Sequence, residues 1–132
     1  MKNKPLPDSH EKRKLLYEKK LPPEELGAMG ERFLEAGRVY EAAEFFRKAS
    51  YRQGWARLRS LAVEQGDSTL LEMALKGDPV GDPRTLWLAL GKRALELGKY
   101  SHAARAFRKA GDEDGAKGAE ELLKEVFGRE QA

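Results

Sequence analysis

The stretch that decides the fold is Leu86–Gly111, LWLALGKRALELGKYSHAARAFRKAG. Its first half repeats apolar residues at spacings of three and four, which is typical of an amphipathic helix; these residues are Leu86, Trp87, Leu90, Ala94 and Leu97. Asp82 and Pro83 supply a helix start, and Gly98 supplies a stop, because glycine readily takes the left-handed conformation. The second half has its own apolar side, made of Ala103, Ala106, Phe107 and Ala110. The stretch therefore predicts two short helices packed as a hairpin.

This hairpin resembles a tetratricopeptide (TPR) repeat, a helix–turn–helix unit of about 34 residues. The matching consensus places are held by Trp87, Leu90, Gly91, Gly98, Tyr100, Ala103, Phe107 and Ala110. Ala94 stands where the family usually has an aromatic residue, and Gly115 stands where it usually has proline. The resemblance implies a helical solenoid whose first helices line a concave face.

The same unit occurs earlier in the chain, as Leu26–Ser50, LGAMGERFLEAGRVYEAAEFFRKAS. A shift of 61 positions, which takes Gly30 to Gly91, aligns the two copies without a gap. The shift also superposes residues beyond the hairpin, because Gly54 aligns with Gly115. Since 61 is not a multiple of the repeat length, we expect a shortened unit between the two full repeats.

These patterns predict an all-α fold, a short TPR-like solenoid of about seven to eight helices. No stretch alternates as a strand would. We predict a disordered segment at residues 1–8 and a single domain at 9–132, which opens with a helix that ends at about Lys20. The predicted parts that follow are a repeat at 23–56, a shortened repeat at 57–77, a loop at 78–82, a second repeat at 83–111, and a capping helix at 112–127.

Composition narrows the class of protein. The 132 residues include no cysteine, which excludes disulfides and thiolate metal sites and fits a reducing, cytoplasmic location. The first residues, MKNKPLPDSH, lack the apolar core of a signal peptide, and no apolar run approaches the length of a membrane span. We therefore expect a cytoplasmic protein that does not enter a membrane.

The sequence offers little catalytic chemistry. His10 and His102 are isolated from other ligand-type residues, and we interpret His102 as a solvated surface side chain. The glycines fall at repeat positions and form no phosphate-binding loop. We therefore expect no catalytic residue, no metal, no cofactor and no enzymatic activity.

The resemblance implies that the first helix of each repeat forms a partner-binding groove. By position, its lining includes Glu31, Leu34, Glu35, Leu88, Lys92, Leu95 and Glu96. The Lys and Asn residues with which some family members clamp a partner's C-terminal carboxylates are absent from these places. We therefore predict a non-catalytic interaction module, or adaptor, that binds a partner peptide or helix. Leu88 could equally pack against a terminal helix or form a self-contact.

Charge leaves two alternatives open. From residue 43 to 60 there are five basic residues against one acid, Glu44; they are Arg47, Lys48, Arg52, Arg57 and Arg59. Such a surface could bind nucleic acid or another anion, although charges beside an apolar stripe often serve only solubility. Residues 111–132 hold seven acids against three bases. Self-association of this acidic end with the basic middle of a second copy is the other alternative.

Overall fold

The computed structural model describes residues 5–131 of the chain, with side chains up to residue 128. This range contains eight α-helices and no strand, which confirms the all-α fold. The helices are α1 (Ser9–Arg13), α2 (Pro23–Glu35), α3 (Val39–Ala49), α4 (Arg52–Gln65), α5 (Ser68–Gly77), α6 (Arg84–Glu96), α7 (Tyr100–Lys109) and α8 (Glu113–Gln131). The chain divides inside α4 into two compact units, which we call unit 1 (up to Arg57) and unit 2 (from Leu58).

The turns follow the glycine pattern of the sequence. Four helix ends carry a glycine with a φ between 62° and 78°, as expected of residues that stop a helix in the left-handed conformation; they are Gly37, Gly66, Gly98 and Gly111. Ser50 takes the same conformation (φ 50°) at the position that Gly111 holds in the second copy. A residue with a side chain is disfavoured there.

Aspartate side chains accept hydrogen bonds at the starts of α5, α6 and α8. Asp67 and Asp112 accept hydrogen bonds from the Leu70 and Gly115 amides, at 3.0 and 2.9 Å. Asp82 accepts from the amide and guanidinium of Arg84, at 3.1 Å each. These hydrogen bonds lower the pKa of the Asp82 carboxyl to about 2. Helix α6 begins at Arg84, one residue after the proline that the sequence suggested.

One phenylalanine joins the three main helices of unit 1. Phe46 of α3 is fully buried, and its ring stacks on Tyr51 with centroids 5.6 Å apart. A Cβ atom at Gly30 of α2 would lie 2.6 Å from this ring, and one at Gly54 of α4 would lie 2.5 Å from it. Such distances leave no room for any side chain at the two glycines. The Phe46 ring therefore sets how closely α2 and α4 approach α3.

Unit 2 repeats this arrangement 61 positions later. Phe107 of α7 is 4 % exposed, and Cβ atoms at Gly91 of α6 and Gly115 of α8 would lie 2.8 and 2.9 Å from its ring. Helix pairs α2–α3 and α6–α7 both pack closely, as does α7–α8. The duplicated sequence therefore folds into duplicated hairpins, each closed by the helix that follows it.

The close contact at Gly30 leads to a stability prediction. We expect Gly30→Ala to lower the free energy of unfolding by about 1–2 kcal/mol, because the overpacking at the buried Phe46 ring outweighs the gain in helix propensity. Gly118→Ala is the matched control, since Gly118 is an exposed helical glycine with open space around its Cβ position. This control should stabilise the chain by up to about 1 kcal/mol. Urea denaturation of both variants checks the prediction, and stabilisation by both would contradict it.

The predicted shortened repeat, residues 57–77, covers the later part of α4 and all of α5, and the predicted loop, residues 78–82, follows it. Leu70, Leu71 and Ala74 of α5 are buried, and α5 packs on α7. The loop is attached to α4 by Arg59, whose guanidinium donates to the main-chain and side-chain oxygens of Asp78, at 3.1 and 3.3 Å. Helix α5 has 10 residues, the same length as α7, the second helix of the later full repeat.

The segment before α2 packs on the first hairpin. Asp8 caps α1 by accepting from the Glu11 amide. After α1 the chain continues as a π-helical stretch, Lys14–Glu18, in which Leu16 is 2 % exposed. The predicted disordered segment, residues 1–8, lies partly outside the described residues. Its described part begins at Pro5, whose carbonyl accepts from Arg32 at 3.1 Å.

Candidate functional site

The groove positions of unit 1 lie on α2. Glu31 and Leu34 are half-buried, and Glu35 is exposed. The Glu31 carboxylate accepts from the Arg57 guanidinium at 3.1 Å, so its charge is compensated inside the unit. Burial and this carboxylate together raise the pKa of the neighbouring Tyr51 phenol. Of these three groove positions, only Glu35 at the C-terminal end of α2 therefore carries an exposed charge.

The groove positions of unit 2 lie on α6. Leu88 and Leu95 are half-buried, whereas Lys92 and Glu96 are exposed. Glu96 forms an ion pair with Arg93 at 2.9 Å. Lys92 is the counterpart of Glu31 under the 61-residue shift, so the two first helices present opposite charges at equivalent places. The α6 face is an apolar strip bordered by a lysine.

The five basic residues of the predicted anion surface differ in their surroundings. Arg47 lies over the Trp55 ring, and Lys48 lies over the Tyr17 ring, at 5.5 and 5.7 Å from the centroids. Arg52 is exposed on the first turn of α4. The remaining two, Arg57 and Arg59, form ion pairs with Glu31 and Asp78, at 3.1 and 3.3 Å. The positive charge of Arg57 and Arg59 is therefore partly compensated by acids of the same chain.

His102 is not the solvated side chain that the sequence suggested. It is half-buried, and its Nδ1 atom accepts from the Ser68 amide at 3.0 Å and lies 2.7 Å from the Ser68 hydroxyl. Because Nδ1 accepts from a main-chain N–H, the ring proton lies on Nε2. Ser68 is 1 % exposed at the start of α5. His102 therefore has a structural role, in which α7 holds the N-terminus of α5.

This contact gives a second stability prediction. We expect His102→Ala to lower the free energy of unfolding by about 1–2 kcal/mol, because the buried Ser68 groups lose their partner. His102→Asn should cost less, since an asparagine oxygen can accept in place of Nδ1. The measurement is thermal denaturation together with amide exchange of Ser68. Equal stability of His102→Ala and the parent chain would contradict the role given to His102.

Three other features are absent from the described residues: a cluster of metal ligands, an unpaired buried polar side chain, and a membrane-spanning helix. Among them no group of three or more His, Cys, Asp or Glu side chains is arranged to hold a metal ion. Every buried side-chain nitrogen or oxygen in this part of the chain has a hydrogen-bond partner. No helix in residues 5–131 is both long and apolar enough to cross a membrane.

One surface was not anticipated from the sequence. The apolar side of α8 was expected to cap the last repeat, and its first half does so, since Ala116 and Ala119 are each 1 % exposed. Its second half is uncovered, with Phe127 58 % exposed. The duplication is the sequence signal that relates to this surface, because the 61-residue shift makes α8 the counterpart of α4, whose end is covered by α6.

Comparisons with protein-family models, with curated proteins and with solved structures gave no match. The relation to helical repeats therefore rests on this chain alone. It is supported by the duplicated sequence and by the equivalent packing of Phe46 and Phe107 against their glycines.

Proposed function

We propose that the chain is a non-catalytic, TPR-like interaction module that binds a partner peptide or helix through the groove positions of α2 and α6. One observation carries the proposal. Both helices present a half-buried leucine followed by an exposed glutamate at equivalent places, Leu34–Glu35 and Leu95–Glu96. The resemblance to TPR repeats assigns these places to the binding face. Apolar contact area beside a polar rim is the usual composition of a protein interface.

The side chains on α6 favour a particular kind of ligand. Leu88 and Leu95 offer apolar contacts on either side of the exposed Lys92. A peptide or helix that places apolar side chains on these leucines and a carboxylate near Lys92 would complement the strip. We therefore expect a partner segment that is apolar and acidic.

The nucleic-acid alternative has weaker support. It needs a cationic surface, and two of its five residues, Arg57 and Arg59, are already paired with carboxylates. It also predicts binding that weakens steeply as salt is raised. The exposed Arg47 and Lys48 remain its best candidates.

Affinity capture from the lysate of the source organism, with and without nuclease, separates these proposals. The informative variants are Leu88→Glu/Leu95→Glu and the milder Lys92→Glu, whose side chain is exposed and leaves the packing intact. The matched control is Leu97→Glu, because Leu97 is an exposed leucine just past the end of α6. Circular dichroism establishes that each variant is folded.

We expect a protein partner that survives nuclease treatment, is retained by Leu97→Glu, and is lost with both α6 variants. Recovery that disappears with nuclease but is insensitive to these variants would instead favour binding of nucleic acid by the basic surface. Retention of the same partner by folded Leu88→Glu/Leu95→Glu and Lys92→Glu would refute the α6 face as the binding site.

A further inference from the structure

The second half of α8, residues 120–128, is an apolar helix face without a cover; we call it the α8 overhang. Helix α8 has 19 residues and α7 has 10, so α8 extends roughly 13 Å beyond the length of α7 at 1.5 Å per residue. The exposed apolar side chains of the overhang, at 36–58 % exposure, are Leu122, Leu123, Val126 and Phe127. Contiguous exposed apolar side chains of this kind mark interaction sites.

A groove runs along the overhang beside the start of α7. Its volume is about 510 Å³, and its lining is Ser101, Leu123, Lys124, Phe127 and Gly128. The overhang holds two further acids, Glu121 and Glu125, and one base, Lys124, while Glu120 forms an ion pair with Arg108 of α7. Helix C-termini also carry partial negative charge on their carbonyl groups. The overhang therefore offers an apolar groove beside the negative end of a helix.

The chain contains a covered version of this face, in α4. Ala62, the counterpart of Leu123, is fully buried. At the end of α4, the counterpart of Phe127 is Gly66, and α6 packs directly on it. A Cβ atom at Gly66 would lie 2.9 Å from the Cα atom of Ala94. Inside unit 2, the element that covers this position is thus a helix with a small residue at the contact.

Two cations accompany that contact. Arg93 donates to the Glu64 carbonyl at 2.9 Å, and Lys99 donates to the Gln65 carbonyl at 2.7 Å. These are among the last carbonyls of α4, which lack partners within the helix. Basic side chains at a helix C-terminus are favourable because they meet its negative end. The cover of α4 is therefore an amphipathic helix that carries one basic residue, Arg93, and is followed by a second, Lys99, in the turn before α7.

We propose that the α8 overhang is a docking site for a helix of another protein that resembles α6: amphipathic, with a small residue opposite Phe127 and basic residues that reach the end of α8. The small residue follows from the packing of Phe46 and Phe107, which both lie against glycines. The basic residues follow from Arg93 and Lys99, which donate to the last carbonyls of α4, the counterpart of α8. This inference adds a site to the proposed protein-binding function and rests on it.

A second copy of the chain is a less suitable occupant. Its nearest equivalent of α6 is α2, where Arg32 and Arg38 match Arg93 and Lys99. In α2, however, the counterpart of Ala94 is Phe33, which is large and fully buried. Arg32 donates to the Pro5 carbonyl at 3.1 Å, and Arg38 donates to Glu41 at 2.7 Å. The matching face of α2 is therefore already occupied within its own chain.

The test uses the full chain and a defined helical probe. The probe is a labelled peptide of residues 83–99 of this chain, held helical by a lactam between positions 85 and 89, whose side chains are exposed on α6. We expect fluorescence anisotropy to show binding that Phe127→Glu weakens by about tenfold or more, since an exposed aromatic residue is a typical anchor. Tyr40→Glu is the matched control, because Tyr40 is an aromatic residue of similar exposure, 54 %, on α3.

A second probe isolates the basic residues. The same peptide with Arg93→Ala and Lys99→Ala should bind several-fold more weakly to the parent chain. Unchanged affinity for Phe127→Glu, or no binding of the parent chain to the helical probe, would overturn the site. If sedimentation instead shows a dimer of the parent chain that Phe127→Glu dissociates, the occupant is a second copy and the proposed partner is wrong. A negative result with the helical peptide would not affect the lysate capture, which tests Leu88 and Leu95 of α6. The two proposals can therefore fail separately.

Discussion

Ala103→Glu should destabilise the chain more than any surface substitution. Ala103 is fully buried on α7, which packs closely on α6. An unpaired carboxylate at such a place costs about 3–5 kcal/mol, a large part of the 5–15 kcal/mol that stabilises a typical domain. We expect urea denaturation to show this loss at pH 7. We also expect the loss to shrink as the pH falls, because protonation removes the buried charge.

Lys109→Glu is the control for this prediction. Lys109 is exposed near the end of the same helix. Its substitution should therefore change the free energy of unfolding by no more than about 0.5 kcal/mol, apart from a small effect on the helix C-terminus. Arg105 is less suitable because its guanidinium forms an ion pair with Glu72. If Ala103→Glu does not fold at all, Ala103→Ser gives a milder measure. If both Ala103→Glu and Ala103→Ser were as stable as the parent chain, the α6–α7 interface would not be what holds the unit together.

Phe46→Ala should have the second large effect. The Phe46 ring contacts the backbone at Gly30 and Gly54, stacks on Tyr51 and meets Trp55 edge-on with centroids 6.3 Å apart. Removing a buried phenylalanine ring typically costs about 3–5 kcal/mol, since a cavity remains where the ring was. We expect a corresponding shift in urea denaturation, with a change in tryptophan fluorescence because Trp55 loses its neighbour.

A double variant makes this prediction specific. Gly30→Ala destabilises the parent chain, whereas in the Phe46→Ala background its methyl group enters the emptied space and should be stabilising. This change of sign is the coupling expected of two groups in direct contact. Phe127→Ala is the control for loss of a phenylalanine ring that is not buried, because the Phe127 side chain is 58 % exposed. Additive effects of Gly30→Ala and Phe46→Ala would contradict the packing that we describe.

The hairpins could be predicted because local signals agree with one another. Periodic apolar residues, glycine stops and aspartate starts all lie within the segments that they organise. Gly54 shows where such signals mislead. Glycine weakens a helix interior, yet Gly54 lies in the first turn of α4, which begins at Arg52. The glycine lies inside the helix because the Phe46 ring needs the space.

The candidate sites were less predictable because they depend on contacts between distant segments. His102 was expected to be solvated, but the packing of α5 on α7 brings Ser68 to it across 34 positions. The compensation of Arg57 by Glu31 has the same origin. The exposure of Phe127 could not be read from periodicity, since an apolar stripe does not reveal where its cover ends. The groove positions on α2 and α6 remain a prediction that rests on the TPR resemblance.

The contact of Phe46 with two glycines also bears on how the chain acquires its structure. Gly30, Phe46 and Gly54 lie within one short stretch of sequence, so the loops that must close to bring them together are small. Contacts between residues near in sequence favour rapid folding, because little chain entropy is lost before they form. Each hairpin with its following helix can therefore assemble as soon as that helix has left the ribosome. We expect fast refolding without a slow phase from long-range pairing.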